Sequence, residues 1–384
     1  MTLRVLVTVQ PAAGHLRSLV PVARALAAAG HVVSVAAPRS FHAEVASYGL
    51  DAVPAGPGWS TDEAVAWGRV LGQPDRDWRW QDLFWLRLEP ALRTAEDLVA
   101  LAPAWRPDLV VRDCTEFGGS WAAEILGVPH VPVSTSGGVA TLFGLPDLAP
   151  RLDACRAALG LPPDPALAAP NRYLFVNSTP PAFDPAELTV PNVRSVRHEL
   201  ALRTGEALPA SLWPAGGGRR VLASLGTAFH GVAGRLEAIV EGLARLGCPA
   251  IVAAGADPER LADLAPPSHV RVVESVAQPL ALRSADLLVT HGGINSIREA
   301  LLVGVPMVVA PVATDQPRNA LRCEALGVAR ALPASGLTAS AVVDACRDVL
   351  GDPGFRRRAH AVRRGVLALP SLASLVPELV ALCA

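Results

Sequence analysis

Lysine is absent: all 34 of the residues counted as Lys plus Arg are arginines. A phosphate loop of the G-x-x-x-x-G-K type and Schiff-base catalysis each require that side chain, so both are excluded. Cysteine is scarce, and the six present (114, 155, 248, 323, 346 and 383) form no C-x-x-C pair. That spacing argues against zinc and against a disulfide framework, and fits a reducing, cytoplasmic compartment. An excess of either charge is also missing, since 35 acidic residues leave a formal net charge of −1. Basic residues are dispersed, so the footprint of a nucleic-acid binder is absent. Arg356, Arg357, Arg358, Arg363 and Arg364 read as a solvated helix face. No uninterrupted apolar run reaches membrane-spanning length; residues 365–384 come nearest but contain Pro370, Pro377 and Glu378, and read as an amphipathic helix docking on the protein body. Residues 1–9 are too short an apolar stretch for a signal peptide.

What is present is a long, apolar chain: 384 residues, 51% of them hydrophobic, enough for two domain cores. Residues 4–9 read as a buried strand. An amphipathic helix with Leu16, Leu19, Val20, Ala23 and Leu26 on its apolar face follows, closed by Gly30, and then a second strand at 32–36. The same β-α-β rhythm returns over residues 109–133. Residues 186–218 have little periodicity, several prolines and a Gly216-Gly217-Gly218 run, which marks a linker. The β-α pattern restarts at 220–225 and continues with strands at 250–254, 270–273, 287–290 and 306–310. The expected organisation is α/β: a Rossmann-like domain over 1–205, a linker over 206–218, a second Rossmann-like domain over 219–365, and a helix over 366–384 returning to the first domain. Two such domains facing across a cleft bind ligands at the carboxyl ends of their strands.

The densest chemical signal is His291-Gly292-Gly293-Ile294-Asn295-Ser296-Ile297-Arg298-Glu299. A buried strand ends at Thr290, two glycines let the backbone turn, and a helix starts near Ile294. Backbone N–H groups at that helix end, with its positive dipole, suit a diphosphate. Ser224-Leu225-Gly226-Thr227 forms a second phosphate-suited turn where another strand ends. In the first half, Gly14-His15 lies between the first strand and helix, and Asp113 closes the later strand at the same sheet edge. A neutral imidazole there can accept a hydroxyl proton, and a carboxylate on its other nitrogen fixes the tautomer. Taken alone, a histidine at a helix start is more often structural. Five of the eight tryptophans (59, 67, 78, 80 and 85) fall within one Pro- and Arg-bearing stretch, which either packs as a cap or lines a pocket.

On these residues the chain resembles family 1 glycosyltransferases of the GT-B fold, particularly bacterial enzymes that attach deoxysugars to natural-product aglycones, some of them antibiotics. The likeness spans nearly the whole chain and is most specific over residues 278–316. It implies that His291, Gly292, Gly293, Asn295 and Ser296, with Ser224, Gly226 and Thr227, hold the diphosphate. It implies further that Glu299 meets the ribose and that Asp315 and Gln316 bind the sugar hydroxyls. His15 becomes the base and Asp113 its partner. Many relatives carry W-x-P-Q for nucleobase stacking where this chain reads Ser275-Val276-Ala277-Gln278. Gln278 is kept, the tryptophan is not, and both thymidine and uridine donors remain open with dTDP favoured. Trp59, Trp78, Trp80, Phe84 and Trp85 are the candidate acceptor contacts.

The expected reaction is inverting transfer from a nucleoside-diphosphate sugar, used as co-substrate, to a hydroxyl of an apolar small molecule. Neither a cofactor nor a metal is expected. Asp75-Arg76-Asp77 matches the D-x-D string of metal-dependent glycosyltransferases, but no apolar strand precedes it and an arginine separates the carboxylates, so it reads as a surface turn. A nicotinamide oxidoreductase is disfavoured because the first turn, Gln10-Pro11-Ala12-Ala13-Gly14-His15, lacks G-x-G-x-x-G. A nucleotide-sugar epimerase of the same fold and a catalytically silent nucleotide-sugar-binding or helper protein stay as alternatives. Monomer and homodimer are equally open.

Overall fold

The computed structural model describes residues 1–58, 88–137, 147–183, 190–209, 211–215, 217–227, 229, 231–255 and 258–384. Thirteen strands among them fall into two sheets. The first comprises β1 (Arg4–Thr8), β2 (Val32–Ala37), β3 (Asp51–Pro54), β4 (Leu109–Asp113), β5 (His130–Val133), β6 (Phe175–Asn177) and β7 (Val193–Ser195), in the order β3-β2-β1-β4-β5-β6-β7. The second comprises β8 (Val221–Ser224), β9 (Ala250–Ala253), β10 (Val270–Val273), β11 (Leu287–Thr290), β12 (Met307–Val309) and β13 (Ala329–Ala331), in the order β10-β9-β8-β11-β12-β13. Every strand pair is parallel. Central strands such as β1 (RVLVT) and β11 (LLVT) are β-branched and apolar without alternation, as strands covered by helices on both faces must be.

Strand order is what positions the chemistry. In the first sheet the winding reverses between β1 and β4, and in the second between β8 and β11. Loops leaving the carboxyl ends of such a pair part to opposite faces and open a crevice between them. The helix start after β1 carries His15 and the end of β4 carries Asp113; the turns after β8 and β11 carry Gly226 and His291.

Two compact units result. One holds the described residues up to Thr204 together with Leu369–Ala384; the other begins at Gly205 and runs to Ala368. The first core joins Val5, Val7, Leu16, Leu19, Val20, Leu109 and Val111 to Leu372, Leu375, Val376 and Leu379 of the C-terminal helix. That helix, Leu372–Ala381, starts after Pro370, and the Ser371 side chain caps it by accepting from the Ser374 N–H. Arg194 and Glu378 form an ion pair at 2.6 Å beside it. The second core gathers Val221, Leu236, Ile239, Val252, Leu287, Val289, Val342 and Cys346.

Three expectations need adjusting. The short strands β3, β6, β7 and β13 have three or four residues each and leave too little periodicity to be seen in sequence, so part of the stretch read as linker pairs as β7. The arginine-rich helix Pro353–Leu367 is only partly a solvated face. Arg356 pairs with Asp286 at 2.7 Å, Arg358 Nε donates to the Gly327 carbonyl at 2.7 Å, and Arg363 Nε donates to Leu302 O at 3.2 Å. By length and composition the helical run Pro353–Ala381 would suffice to cross a membrane. Its apolar side chains from Leu372 onward are spent on the first core.

Candidate active site

The first constellation is built at the β1/β4 reversal. The helix Ala13–Ala28 begins two residues before His15, which sits in its first turn. Asp113 is the last residue of β4 and is fully buried. Their side chains meet with His15 Nδ1 and Asp113 Oδ2 2.5 Å apart, 98 positions apart in sequence. The His15 side chain retains 19% of its exposure while Asp113 retains none, so the pair presents an accessible imidazole on a sealed carboxylate. With Nδ1 turned to Asp113 and carrying the proton, Nε2 is the nitrogen left to accept one.

Asp113 is unusually well supplied with donors. Its Oδ1 accepts from the Thr115 N–H and Thr115 hydroxyl, each at 2.8 Å, and from the Thr135 hydroxyl at 2.5 Å. Its Oδ2 also receives the Gln10 N–H at 3.4 Å. Burial alone would push this carboxyl up, but His15, Thr135 and Thr115 together hold it well below the usual carboxylate range. Beneath it lies a buried arginine. Arg112 donates to the carbonyls of Asp113, Cys114, Glu116 and Pro170 at 2.6–3.2 Å and so ties down the whole post-β4 loop. Burial lowers its pKa, opposed by Cys114, Glu116 and Asp113. Glu116 in turn accepts from Thr8 Oγ1 at 2.7 Å and from the N–H groups of Gly118 and Gly119 at 2.6 and 2.8 Å. It thereby satisfies the start of the helix Gly118–Leu126.

The second constellation lies at the β8/β11 reversal. The helix Ile294–Val303 follows Gly293 directly and no side chain caps it, the state in which a helix start receives an anion. His291 precedes it, buried, with Nδ1 lacking a hydrogen-bond partner. Burial pushes its pKa down to about 4, against a smaller opposing pull from Asp315, so at neutral pH the ring is uncharged. Two glycines make room for that ring. A Cβ on Gly226 would stand 2.7 Å from His291 Cε1, and one on Gly293 would stand 2.5 Å from His291 Nε2. Gly226 also has φ +71, a left-handed conformation that a side chain would strain. Phe229 covers the other side, its ring centroid 5.8 Å from that of His291.

The remaining donor candidates separate into groups. Gln278 Nε2 donates to Glu299 Oε2 at 2.7 Å and to Ser296 Oγ at 3.1 Å, so these three are brought together, all buried. Ser224 Oγ accepts from the Gly226 N–H at 3.2 Å and is spent on its own turn, while Thr227 is exposed and Asn295 half-buried. Asp315 and Gln316 differ although adjacent. Gln316 is buried and its Oε1 accepts from the N–H groups of Val312 and Ala313 at 2.9 and 3.2 Å. Asp315 is half-buried, and Asn319 Nδ2 links its Oδ2 to the Gly292 carbonyl, with both contacts at 3.0 Å. The aromatic acceptor candidates Trp59, Trp78, Trp80, Phe84 and Trp85, and Asp75-Arg76-Asp77, lie outside the described residues.

Comparison with known proteins decides the family. The family described as erythromycin biosynthesis protein CIII-like matches through its N-terminal domain at residues 24–190 and its C-terminal domain at residues 237–382. The 3-alpha-mycarosylerythronolide B desosaminyl transferase of Saccharopolyspora erythraea is 29% identical, covering 97% of this chain and 97% of its own. The TDP-daunosamine transferase of Streptomyces peucetius is 30% identical, covering 98% of this chain and 96% of its own. This chain belongs to the family 1 natural-product glycosyltransferases. Among solved structures, the glycosyltransferase VinC in complex with dTDP matches with a TM-score of 0.79 at 28% identity over 99% of each chain. The two parallel-sheet units are those of the GT-B fold.

Several residues of this glycosyltransferase escaped sequence reasoning. Thr115, Thr135 and Arg112 surround Asp113, but threonines two residues past a strand carry no motif. Asn319 and Arg235 brace the second constellation; Arg235, buried at the start of the helix Arg235–Leu246, donates to the carbonyls of Ala310, Pro311 and Ala334 at 2.7–3.0 Å. A small cavity lined by Gln10, Pro11, Pro38, Pro57, Thr94 and Glu116 adjoins the post-β1 turn. Neither this cavity nor a larger one of about 630 Å³ near Arg39, Gly56 and Asp97 has His15 or Asp113 in its lining, but the smaller is lined by Gln10, whose N–H reaches Asp113.

Proposed function

We propose that this glycosyltransferase transfers a deoxysugar from a nucleoside-diphosphate donor, dTDP in preference to UDP, to a hydroxyl of an apolar natural-product aglycone with inversion and without a metal ion. The observation that carries the reading is the 2.5 Å contact between His15 Nδ1 and buried Asp113. It makes a general base of a half-open imidazole. His15 Nε2 takes the acceptor proton as the hydroxyl oxygen bonds to the anomeric carbon. The bond from that carbon to the diphosphate oxygen breaks on the opposite face. One displacement gives one inversion.

The charge that develops on the leaving diphosphate is met by the uncapped start of the helix Ile294–Val303 and by neutral His291. That is stabilisation by fixed dipoles rather than by a cation. Among the described residues no group of three or more His, Cys, Asp or Glu side chains is arranged to hold a metal. Preference for dTDP draws on the dTDP complex of VinC and on the TDP-sugar named for the Streptomyces peucetius relative. In this reading Ser296 and Asn295 join His291 on the diphosphate, Glu299, held by Gln278, meets the ribose, and Asp315 and Gln316 take the sugar hydroxyls. A cytoplasmic setting agrees with six free cysteines.

The test is His15→Ala, assayed with dTDP- and UDP-sugars against aromatic and polyketide-like acceptors. Turnover is expected to vanish while dTDP still raises the melting temperature. Undiminished turnover would remove His15 as the base, and product NMR showing the donor's own anomeric configuration would remove inversion. Loss of activity on chelation, restored by a divalent cation, would overturn the metal-free mechanism.

A further inference from the structure

The two oxygens of Asp113 are not equivalent. Oδ1 accepts three hydrogen bonds, from the Thr115 N–H, the Thr115 hydroxyl and the Thr135 hydroxyl. A carboxylate oxygen has two in-plane lone pairs, so three donors within 2.8 Å saturate it. Oδ2 has one close partner, His15 Nδ1, and the distant Gln10 N–H at 3.4 Å.

We propose that Thr135 is a positioning residue for the base: by occupying Oδ1 from the post-β5 loop, its hydroxyl fixes the carboxylate plane so that Oδ2 alone addresses His15. This inference rests on the reading of His15 as the base. The two threonines come from different loops, so their bonds act as a two-point clamp. Thr115 holds Oδ1 from the loop after β4, the strand that carries Asp113, and Thr135 holds it from the loop after the neighbouring strand, β5. Thr135 is itself buried and fixed, its N–H donating to Cys114 Sγ at 3.5 Å.

The other groups that face Asp113 do not supply this orientation. The positive charge nearest in sequence, Arg112, spends its Nη1 and Nη2 donors on four backbone carbonyls. Glu116 is turned to Thr8 and to the helix start at Gly118, and the buried Cys114 thiol is held neutral by a raised pKa. From the helix Ala13–Ala28 His15 reaches the carboxylate, and from the post-β1 turn the Gln10 N–H. Donors on Oδ1 also make the carboxylate less basic. The proton therefore stays on His15 Nδ1 and Nε2 stays free to accept one. A carboxylate relieved of one donor is more basic and pairs more strongly with the imidazolium.

The experiment compares Thr135→Val, which keeps the shape and loses the hydroxyl, with Thr135→Ser, which keeps the hydroxyl. In Thr135→Val the acid limb of the kcat/KM profile is expected to move up by about 0.5–1 pH unit, the worth of one hydrogen bond. Thr135→Ser should return it to the wild-type position, with the dTDP-induced rise in melting temperature unchanged in both. A His15 ring titration by ¹⁵N NMR should move the same way without reference to turnover. An unmoved titration in a folded Thr135→Val protein overturns the proposal. So does an equal displacement in the valine and serine variants. If His15→Ala stays active but the NMR titration still shifts, the base assignment fails while the role of Thr135 in orienting Asp113 stands.

Discussion

The two constellations are built from opposite materials. Around Asp113 the partners of one carboxylate are gathered from several loops: the His15 ring from 98 positions away, the Gln10 N–H from 103, the Thr135 hydroxyl from 22 and Thr115 from two. Around His291 the material is mainly backbone, glycine and a helix start, drawn from the β11–helix–β12 unit and from the turn after β8 that supplies Gly226 and Phe229. A base has to be tuned, and tuning a pKa needs a dense, dry set of donors about a charge. A diphosphate arrives with its own charge, so its receptor needs fixed dipoles and free space.

The contrast predicts that the two halves break in different ways. The largest effect is expected for Asp113→Asn, which preserves shape while offering His15 the wrong partner. Turnover should fall on the order of 10³–10⁴-fold, as for other His–carboxylate pairs, with dTDP binding by calorimetry intact. A loss of binding alongside turnover would show that the halves are not separable. Next is Gly293→Ala, whose Cβ would stand 2.5 Å from His291 Nε2. Overpacking of ~1–3 kcal/mol translates to a donor KM raised between about fivefold and a hundredfold. The acid limb of the pH profile should not move, and steady-state kinetics across pH would expose any such movement.

The smallest effect concerns pH and stability. His291 titrates at about 4 in the folded protein and near ~6.5 when unfolded. The unfolded chain takes up the proton first, so stability is whole above ~6.5 and drains away as pH falls towards about 4. His130, lowered to about 3 by burial and by Arg112, adds to the same trend. His291→Gln should flatten part of the fall in urea midpoint across that window. A slope identical to wild type would mean that the ring is not sealed as described.

That difference in material also explains what the sequence revealed. The donor turn could be read because its parts are consecutive: a strand ending at Thr290, two glycines, then a helix. His15 and Asp113 were legible only through the β1/β4 adjacency that a β-α-β pattern implies, helped by the family likeness. The clamp at Thr115 and Thr135 was not legible, because it depends on where two loops close over one buried oxygen. Gln316 shows what a motif leaves out: the sequence suggests a sugar contact but not that its Oε1 accepts from the Val312 and Ala313 amides and so fixes the side chain.

The return of Leu372–Ala381 to the first core has a consequence for synthesis and for engineering. The described residues of the second unit lie between Gly205 and Ala368 and all precede the helix Leu372–Ala381 in synthesis. The first unit, though most of it is translated earlier, lacks Leu372, Leu375, Val376 and Leu379 until the segment beyond Ala368 is made. A chimera that borrows another enzyme's donor module therefore needs two seams, one beside Thr204 and one beside Ala368; a single crossover would clothe the recipient's core with a foreign tail.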